Sequence, residues 1–284
     1  MSVKAARAAD RGPVYFLSDY GRADEFVGVV HAVIDRGAPG TLVIDLTHDI
    51  APFDVRAGAA ALGRALPHLG PGIVLAVVDP GVGGQRRGLV LASSGPGPRF
   101  FVGPDNGLLL GALHASGGPS EAVALAPQAD VAGAATFDGR DVFAPAVAAL
   151  AGGAQPGDLG EPVGSETLVS LRPPLLSSRI LSPGHRLLRA EVTWVDRFGN
   201  LQLAAPGGEL PATLERLSAR VVSGSPAGPT EVGQLRRVRT FDELSPGELG
   251  ILVDANDQVA VVGGQTSAAA RLGVTAGGVV ELGW

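Results

Sequence analysis

Five short, uninterrupted apolar runs in the first half of the chain restrict its fold more than any other feature. Strands buried on both faces of a parallel sheet have this pattern, because neither face tolerates polar side chains. Amphipathic helical patterns separate the runs, one over 24–35 and one that begins at Val55 behind a capping Asp54. A further helix is predicted over 141–150. The alternation predicts an α/β domain with a mostly parallel sheet. The five runs are 14–18, 41–46, 72–78, 89–92 and 99–102.

The second half of the chain has a different pattern. Its apolar runs alternate with turn residues instead of helical patterns, which is typical of a small antiparallel barrel or sandwich. A Pro- and Ser-rich stretch precedes these runs and is predicted to be a linker. We therefore predict an N-terminal α/β sandwich domain over 12–172, a linker over 173–186, and a smaller all-β, barrel-like domain over 187–284. The apolar runs are 188–195, 201–204, 220–222, 234–238, 250–253, 258–262 and 278–282.

Length and composition exclude several classes of protein. The chain has 284 residues and a formal net charge of -6, so a basic nucleic-acid surface is not expected. Cysteine is absent, which excludes thiol catalysis and cysteine-based metal sites, and the single lysine, Lys4, belongs to no P-loop pattern. No apolar run reaches the ~20 residues of a membrane span, and the first residues lack the apolar core of a signal peptide. A cytoplasmic protein that binds no nucleic acid and no membrane is expected.

Polar residues gather directly after three of the predicted strands, in segments 18–21, 45–49 and 79–84. In open parallel sheets the ligand crevice lies at the carboxyl ends of the strands, so these three segments are expected to line one cleft. A single aspartate at a strand end more often caps a helix or stabilises a turn. Three such segments together favour a functional site.

Other motifs are ambiguous when each is taken alone. The glycine-rich segment 81–84 lacks the lysine and serine of a P-loop. His48 lies near two aspartates, but no second histidine stands at ligand spacing, so a hydrogen-bonded structural histidine is favoured over a metal ligand. Asp138 precedes a predicted helix that it would cap, and an ordinary hairpin would also explain 195–201.

The order of the motifs along the chain is more specific than any one of them. As a series they resemble the S-adenosylmethionine hydroxide adenosyltransferases, relatives of the fluorinating and chlorinating enzymes that use the same substrate. The resemblance covers nearly the whole chain and includes the change to a β-rich C-terminal domain. The matching segments are 18–21, 45–48, 78–83 with Arg86, 104–107, 137–141 with 143–145, and 196–200.

The resemblance implies an SN2 displacement at the 5′ carbon of S-adenosylmethionine that releases adenosine and L-methionine. It implies no metal and no separate cofactor. It also implies a homotrimer, with active sites where the N-terminal domain of one subunit meets the C-terminal domain of the next. The water-activating set of the family maps onto Asp79, Arg86 and Asp138, and Asp138 stands where the hydrolases usually have histidine.

The resemblance also assigns substrate contacts in the N-terminal domain. Asp19 matches the carboxylate that binds both ribose hydroxyls, a task that requires two acceptor oxygens. Asp24 matches a residue near the methionine ammonium. Phe53 takes the position of a tryptophan that packs beside the substrate in the halogenating relatives, and Thr136 aligns with a hydroxyl near the reacting carbon.

Four further contacts fall in the C-terminal domain. Asp196 matches a second residue near the ammonium group. Phe198 and Phe241 match aromatic residues that sandwich the adenine ring, and Asn200 matches an amide that reads the edge of that ring. The leading hypothesis is therefore an S-adenosylmethionine hydrolase. A halogenase on the same scaffold and a non-catalytic nucleoside-binding protein are the alternatives.

Overall fold

The computed structural model describes residues 11–126, 136–225 and 228–284. The chain divides into two compact units, Met1–Leu171 and Arg172–Trp284. Within its described residues the first unit has seven strands and four α-helices, and a π-helical turn at Gly139–Phe143 leads into the fourth helix. The strands are β1 Val14–Ser18, β2 Val43–Thr47, β3 Ile73–Val77, β4 Gly88–Ser93, β5 Phe100–Pro104, β6 Pro119–Leu125 and β7 Gly160–Pro162; the helices are α1 Phe26–Gly37, α2 Val55–Ala65, α3 Leu110–Ala115 and α4 Ala144–Ala151.

The seven strands form one sheet in the order β2-β1-β3-β5-β4-β6-β7. The pairs among β2, β1, β3 and β5 are parallel, whereas β4 pairs antiparallel with β5 and β6, and β6 pairs antiparallel with β7. The α/β class is confirmed, and the sheet is mixed rather than mostly parallel. The reason lies in the link between β4 and β5, residues 94–99, because a parallel connection needs about a dozen residues or more.

Helices cover both faces of this sheet, which explains the uninterrupted apolar runs. Val14 and Phe16 of β1 pack in one core with residues of α1 and α4. Tyr15 and Leu17, which point the other way, pack in a second core with residues of α2 and α3. The predicted cap of α2 is present, since Asp54 Oδ1 accepts a hydrogen bond from the backbone N–H of Ala57 at 2.9 Å.

The second unit is a closed barrel of seven strands. β9 closes the ring in the order β9-β10-β14-β13-β12-β11-β15, because it pairs with β15 through 187–191 and with β10 through 192–195. β8 is added outside the ring on β9, so part of the segment predicted as a linker is a strand. The strands are β8 Leu176–Ser182, β9 His185–Val195, β10 Leu201–Pro206, β11 Arg216–Ser223, β12 Thr230–Arg237, β13 Leu249–Val253, β14 Gln258–Gly263 and β15 Val279–Gly283, with one helix, α5 Ala268–Leu272.

The main apolar core of the barrel is formed by alternate residues of its strands, and a smaller cluster joins Leu252 of β13 to Ala260 and Val262 of β14. Leu188, Ala190 and Val192 of β9 are fully buried in the main core, as expected for a strand with one face inward. Across both units, none of the helices in residues 11–126, 136–225 and 228–284 has the length and apolar character needed to cross a membrane.

Candidate active site

The first unit has a cleft of about 540 Å³ at the carboxyl ends of β1 and β3. Because these two strands are parallel neighbours, Asp19 after β1 and Asp79 after β3 reach the same edge of the sheet. Of the three segments expected to meet here, two contribute lining residues; none of residues 45–49 does, and Pro52 and Phe53 take that place. The lining residues are Asp19, Tyr20, Glu25, Phe26, Val29, Pro52, Phe53, Val77, Asp79, Val82, Thr136, Phe137, Asp138, Gly139 and Arg140.

Arg86 joins two carboxylates at the cleft. Its Nε donates to both oxygens of Asp79 at 3.0 Å, and its Nη2 donates to Asp79 Oδ2 and to Asp138 Oδ2. All three side chains are largely buried. Fifty-two residues separate Arg86 from Asp138 in sequence, so the fold itself assembles the predicted water-activating set.

The two carboxylates of this set differ in how many acceptor positions they retain. Both oxygens of Asp79 accept from Arg86, and Asp79 Oδ1 also accepts from the backbone N–H of Gly81 at 3.3 Å. Asp138 receives one hydrogen bond, at Oδ2, within the part of the chain that the structure describes. A carboxylate has about four acceptor positions, so Asp138 keeps most of its capacity for another donor.

The cleft is electrostatically negative. Acidic side chains outnumber basic ones four to one among the lining residues, and the one basic residue, Arg140, is itself paired with Asp141 at 2.6 Å. Burial by itself would lower the pKa of Arg86, but the hydrogen bonds and charges of Asp79 and Asp138 outweigh it and raise that pKa. Arg86 is therefore a fixed cation between two anions, and the surplus negative charge suits a cationic ligand.

Asp19 supports an unusual backbone conformation beside the cleft. Phe53 has φ of +69°, in the left-handed region that side chains other than glycine rarely adopt. Its backbone N–H donates to Asp19 Oδ2 at 2.9 Å, and its side chain is 71% exposed. The strained turn thus presents an aromatic ring to solvent next to a carboxylate, an arrangement typical of ligand sites.

Aromatic side chains form one wall of the cleft. The rings of Tyr20, Phe26 and Phe137 lie 5.2 to 5.8 Å apart in edge-to-face contacts. Burial, and next the charges of Asp19, Asp79 and Asp138, raise the pKa of Tyr20 far above its ordinary value. Gly139 has to lack a side chain, because a Cβ there would lie 2.0 Å from Tyr20 Oη.

Of two other predicted residues of this unit, one lines the cleft and the other does not. Thr136 lines the cleft. Asp24 is exposed on the turn before α1, and its neighbour Glu25 is the residue that lines the cleft. Sequence reasoning missed Glu25, Phe26 and Phe137 as lining residues. The available signal was their position in the chain, since Glu25 and Phe26 follow Asp24 and Phe137 precedes Asp138.

The predicted residues of the second unit lie on two turns. Asp196 holds the turn between β9 and β10: its Oδ1 accepts from the backbone N–H of Phe198 and Asn200, at 2.9 and 2.8 Å, and its Oδ2 accepts from Asn200 Nδ2 at 2.8 Å. Gly199, with φ of +84°, completes the turn, since a Cβ would lie 2.0 Å from Ser267 Oγ. Phe198 is 77% exposed at its tip, and Phe241 is exposed at a short 3₁₀ turn.

His48 is buried and hydrogen bonded, as the sequence predicts: its Nδ1 lies 2.7 Å from Ser18 Oγ. On its other side is Asp45, which also contacts His31. Burial would raise the pKa of Asp45, but the contacts with His48 and His31 outweigh it and lower that pKa.

Comparison with known proteins places this architecture in one family. The model of the SAM hydroxide adenosyltransferase N-terminal domain matches residues 14–160, and that of the C-terminal domain matches residues 190–281. The chain therefore belongs to the SAM hydroxide adenosyltransferase family.

Individual relatives match over almost their whole length. An (R)-S-adenosyl-L-methionine hydrolase from Salinispora tropica is 47% identical over 268 residues, which cover 93% of this chain and 95% of that protein. The hydrolase of the same name from Thermus thermophilus is 41% identical and is covered to 99%. The crystal structure of a conserved protein from Thermotoga maritima has a TM-score of 0.80 at 29% identity, covering 95% of this chain and 99% of that one.

Proposed function

We propose that this chain hydrolyses S-adenosyl-L-methionine to adenosine and L-methionine. The observation that carries the proposal is the set of Asp79, Arg86 and Asp138, two carboxylates on one guanidinium in a negatively charged cleft. The relatives from Salinispora tropica and Thermus thermophilus bear the name of this activity. Their names specify the (R) epimer, and we extend that preference to this chain.

The reaction that we propose is an SN2 displacement by water. The water oxygen forms a bond to C5′ of the ribose while the C5′–S bond breaks, and the bonding pair leaves with sulfur, which becomes the neutral thioether of methionine. The proton of the water passes to a carboxylate and then to solvent. Because the sulfonium is already a good leaving group, the step needs no cofactor, and S-adenosylmethionine itself is the substrate that is consumed.

Asp138 is the better placed proton acceptor of the two catalytic carboxylates. Arg86 and the backbone of Gly81 occupy the oxygens of Asp79, whereas Asp138 Oδ1 accepts no hydrogen bond among the described residues. Asp79 and Arg86 then hold Asp138 in position, and the surplus negative charge attracts the sulfonium as the reaction begins.

The remaining assignments in the first unit follow the resemblance and the cleft. Asp19 has acceptor capacity beyond its bond to Phe53, so it is the proposed partner of the ribose hydroxyls. The exposed ring of Phe53 and the hydroxyl of Thr136 are proposed to pack beside the reacting carbon. Asp24 is proposed to reach the methionine ammonium from the turn before α1.

The contacts assigned to the second unit and the assembly come from the resemblance. Phe198, Asn200 and Phe241 are proposed to hold the adenine end of the substrate. The resemblance gives Asp196 a position near the methionine ammonium, and because its oxygens accept three hydrogen bonds within the turn, the role that we propose for it is to shape that turn. In a homotrimer these residues would belong to a different subunit from the Asp79 set. A cytoplasmic location belongs to the same proposal.

A test of the assembly uses two inactive variants. Asp79→Ala and Asn200→Ala enzymes, each inactive alone, are mixed under conditions where subunit exchange has been demonstrated by mass. Partial recovery of adenosine formation is expected from mixed trimers with one intact site. No recovery of activity, despite subunit exchange, would contradict a shared site. It would not contradict the proposed hydrolytic activity.

The activity is tested directly by incubating the purified chain with S-adenosylmethionine and separating the products by chromatography. Equal amounts of adenosine and methionine are expected, together with near-complete loss in Asp79→Ala. A chain that binds adenosine but forms neither product would instead be a nucleoside-binding protein.

A further inference from the structure

Three ligand-type side chains meet on the first unit, outside the lining of the catalytic cleft. They come from separate elements: His31 from α1, Asp45 from β2 and His48 from the segment after β2. Nε2 of His31 lies 2.9 Å from Asp45 Oδ1, and Nε2 of His48 lies 3.1 Å from the same oxygen. One ligand atom of each residue lies within 4.8 Å of the other two.

These distances are close to those of a metal-bound set. Zinc binds histidine nitrogen and carboxylate oxygen at about 2.0 to 2.2 Å in a tetrahedron, so two of its ligand atoms lie about 3.4 Å apart. The contacts at Asp45 Oδ1 therefore have to widen by only a few tenths of an ångström. Two histidines and one carboxylate are also the ligand types that first-row transition ions favour.

His48 is oriented as a metal ligand would be. Its side chain is 1% exposed, and its Nε2 is buried without a hydrogen bond of good geometry among the described residues, although Asp45 is near. The other ring nitrogen, Nδ1, lies 2.7 Å from Ser18 Oγ. A hydrogen bond of that kind fixes the orientation of metal-binding histidines and directs the lone pair of the other nitrogen to the ion.

The backbone around His48 is also fixed. Its carbonyl oxygen accepts from the N–H of Gly21 at 2.8 Å, and the ring packs against Phe16 with centroids 4.6 Å apart. The opposite side of the cluster is open, since the side chains of His31 and Asp45 are 35% and 29% exposed. Entry of an ion and of a water ligand is thus possible from that side.

We propose that His31, Asp45 and His48 bind a divalent first-row transition ion such as Zn²⁺, with water completing the coordination. The ion would connect α1 to the end of β2 directly behind Ser18, the residue before Asp19. Its role is structural: it connects α1 and β2 beside the end of β1, the strand that precedes Asp19, and it takes part in no step of the hydrolysis.

The test uses the full-length chain without a polyhistidine tag, stripped of metal with a chelator. Titration calorimetry with zinc chloride is expected to show one ion per chain, and the melting temperature is expected to rise with zinc. His31→Gln and Asp45→Asn should each weaken zinc binding by at least about tenfold. The matched control is His114→Gln, an exposed histidine on α3, which should bind zinc as the parent does.

Binding of cobalt gives a second readout, because its visible absorption reports the coordination geometry. The parent should show the visible absorption bands of Co²⁺ bound in a site of low symmetry. Loss of these bands in His31→Gln supports the site. The proposal is overturned if the parent binds no zinc, or if His31→Gln and His114→Gln bind it equally. The cluster would then be a hydrogen-bonded network around Asp45. Since His31→Gln alters a partly exposed side chain, its folding is verified by circular dichroism before titration.

Discussion

Two aspartates of the cleft, Asp19 and Asp138, differ from Asp196 of the barrel turn in how many hydrogen bonds their side-chain oxygens already accept. Asp138 accepts one hydrogen bond and Asp19 accepts one at its side chain, within the described part of the chain. Asp196 accepts three, all from its own turn. The same residue type is thus left open to a ligand in one region and is committed to the local fold in the other.

This difference separates two ways of building a site. In the first unit the fold fixes Arg86 and Asp79, and these hold a carboxylate that retains acceptor capacity. In the second unit Asp196 shapes a turn that presents Phe198 to solvent. Substitutions in the cleft should therefore change activity, and substitution of Asp196 should first change stability.

The largest effect is expected from Asp138→Asn. The change removes the proposed proton acceptor and keeps the shape of the side chain, so kcat should fall by about 10²- to 10⁴-fold, the usual contribution of a general base. Asp138→His is the matched control, because the resemblance implies histidine at this position in the hydrolases, and it should be at least as active as the parent. Equal activity of Asp138→Asn and the parent in steady-state assays would contradict the role of Asp138.

A smaller effect is expected from Asp19→Ala. Two charge-assisted hydrogen bonds to the ribose would be lost, each worth roughly 1.5–3 kcal/mol, so adenosine should bind at least about a hundredfold more weakly. Calorimetric titration with adenosine and with 2′,3′-dideoxyadenosine measures the loss. The parent should discriminate between the two ligands, and the variant should not. Unchanged adenosine affinity would remove the ribose assignment.

Asp196→Ala tests the other side of the comparison. The loss of three hydrogen bonds within one turn should lower the free energy of unfolding by about 1–3 kcal/mol, measured by urea denaturation. Asp242→Ala, an exposed aspartate of the same unit, is the control and should leave that free energy within about 0.5 kcal/mol of the parent. An unchanged free energy of unfolding in Asp196→Ala would contradict the conclusion that this carboxylate is committed to its turn.

The smallest effect concerns the pKa of Tyr20 in the cleft wall. Because burial and three nearby carboxylates raise the pKa of Tyr20, its phenol should ionise well above the ordinary value of about 10. The neutral phenol therefore contributes stability that is fully present below pH ~10 and is lost as the pH rises toward the raised pKa. Tyr15 and Tyr20 are the two tyrosines of the chain, so Tyr15→Phe isolates Tyr20 in an ultraviolet titration. Ionisation of Tyr20 near pH 10 would show that burial and the nearby carboxylates do not raise its pKa.

Much of the fold could be predicted from the sequence because burial leaves a direct trace in it. The uninterrupted runs at 14–18 and 72–78 predicted strands covered on both faces, and the structure contains them as β1 and β3. Ligands bind at the carboxyl ends of parallel strands, and this rule predicted from the sequence that Asp19 and Asp79 line one cleft. The α/β domain followed by a barrel is confirmed.

The rest depends on contacts between residues far apart in sequence. His31 precedes Asp45 by fourteen residues on a different element, so spacing rules for metal ligands did not reveal it. The contact between Phe26 and Phe137 in the cleft wall could not be predicted, because it depends on where the π-helical turn places Phe137. The Pro and Ser around β8 predict a linker, but this segment forms a strand because it pairs with β9.

The most direct measurement follows the nucleophile itself. The enzyme is incubated with S-adenosylmethionine in molar chloride and in water enriched in the heavy oxygen isotope, and the nucleoside product is analysed by mass spectrometry. Two unit charges about 4 Å apart interact by ~4 kcal/mol at an effective dielectric constant of ~20, so the surplus carboxylate charge should exclude chloride and favour water. Attack by water at the 5′ carbon should give adenosine that carries the heavy isotope at its 5′ oxygen. Accumulation of 5′-chloro-5′-deoxyadenosine, or adenosine without the isotope, would contradict attack by water at the 5′ carbon.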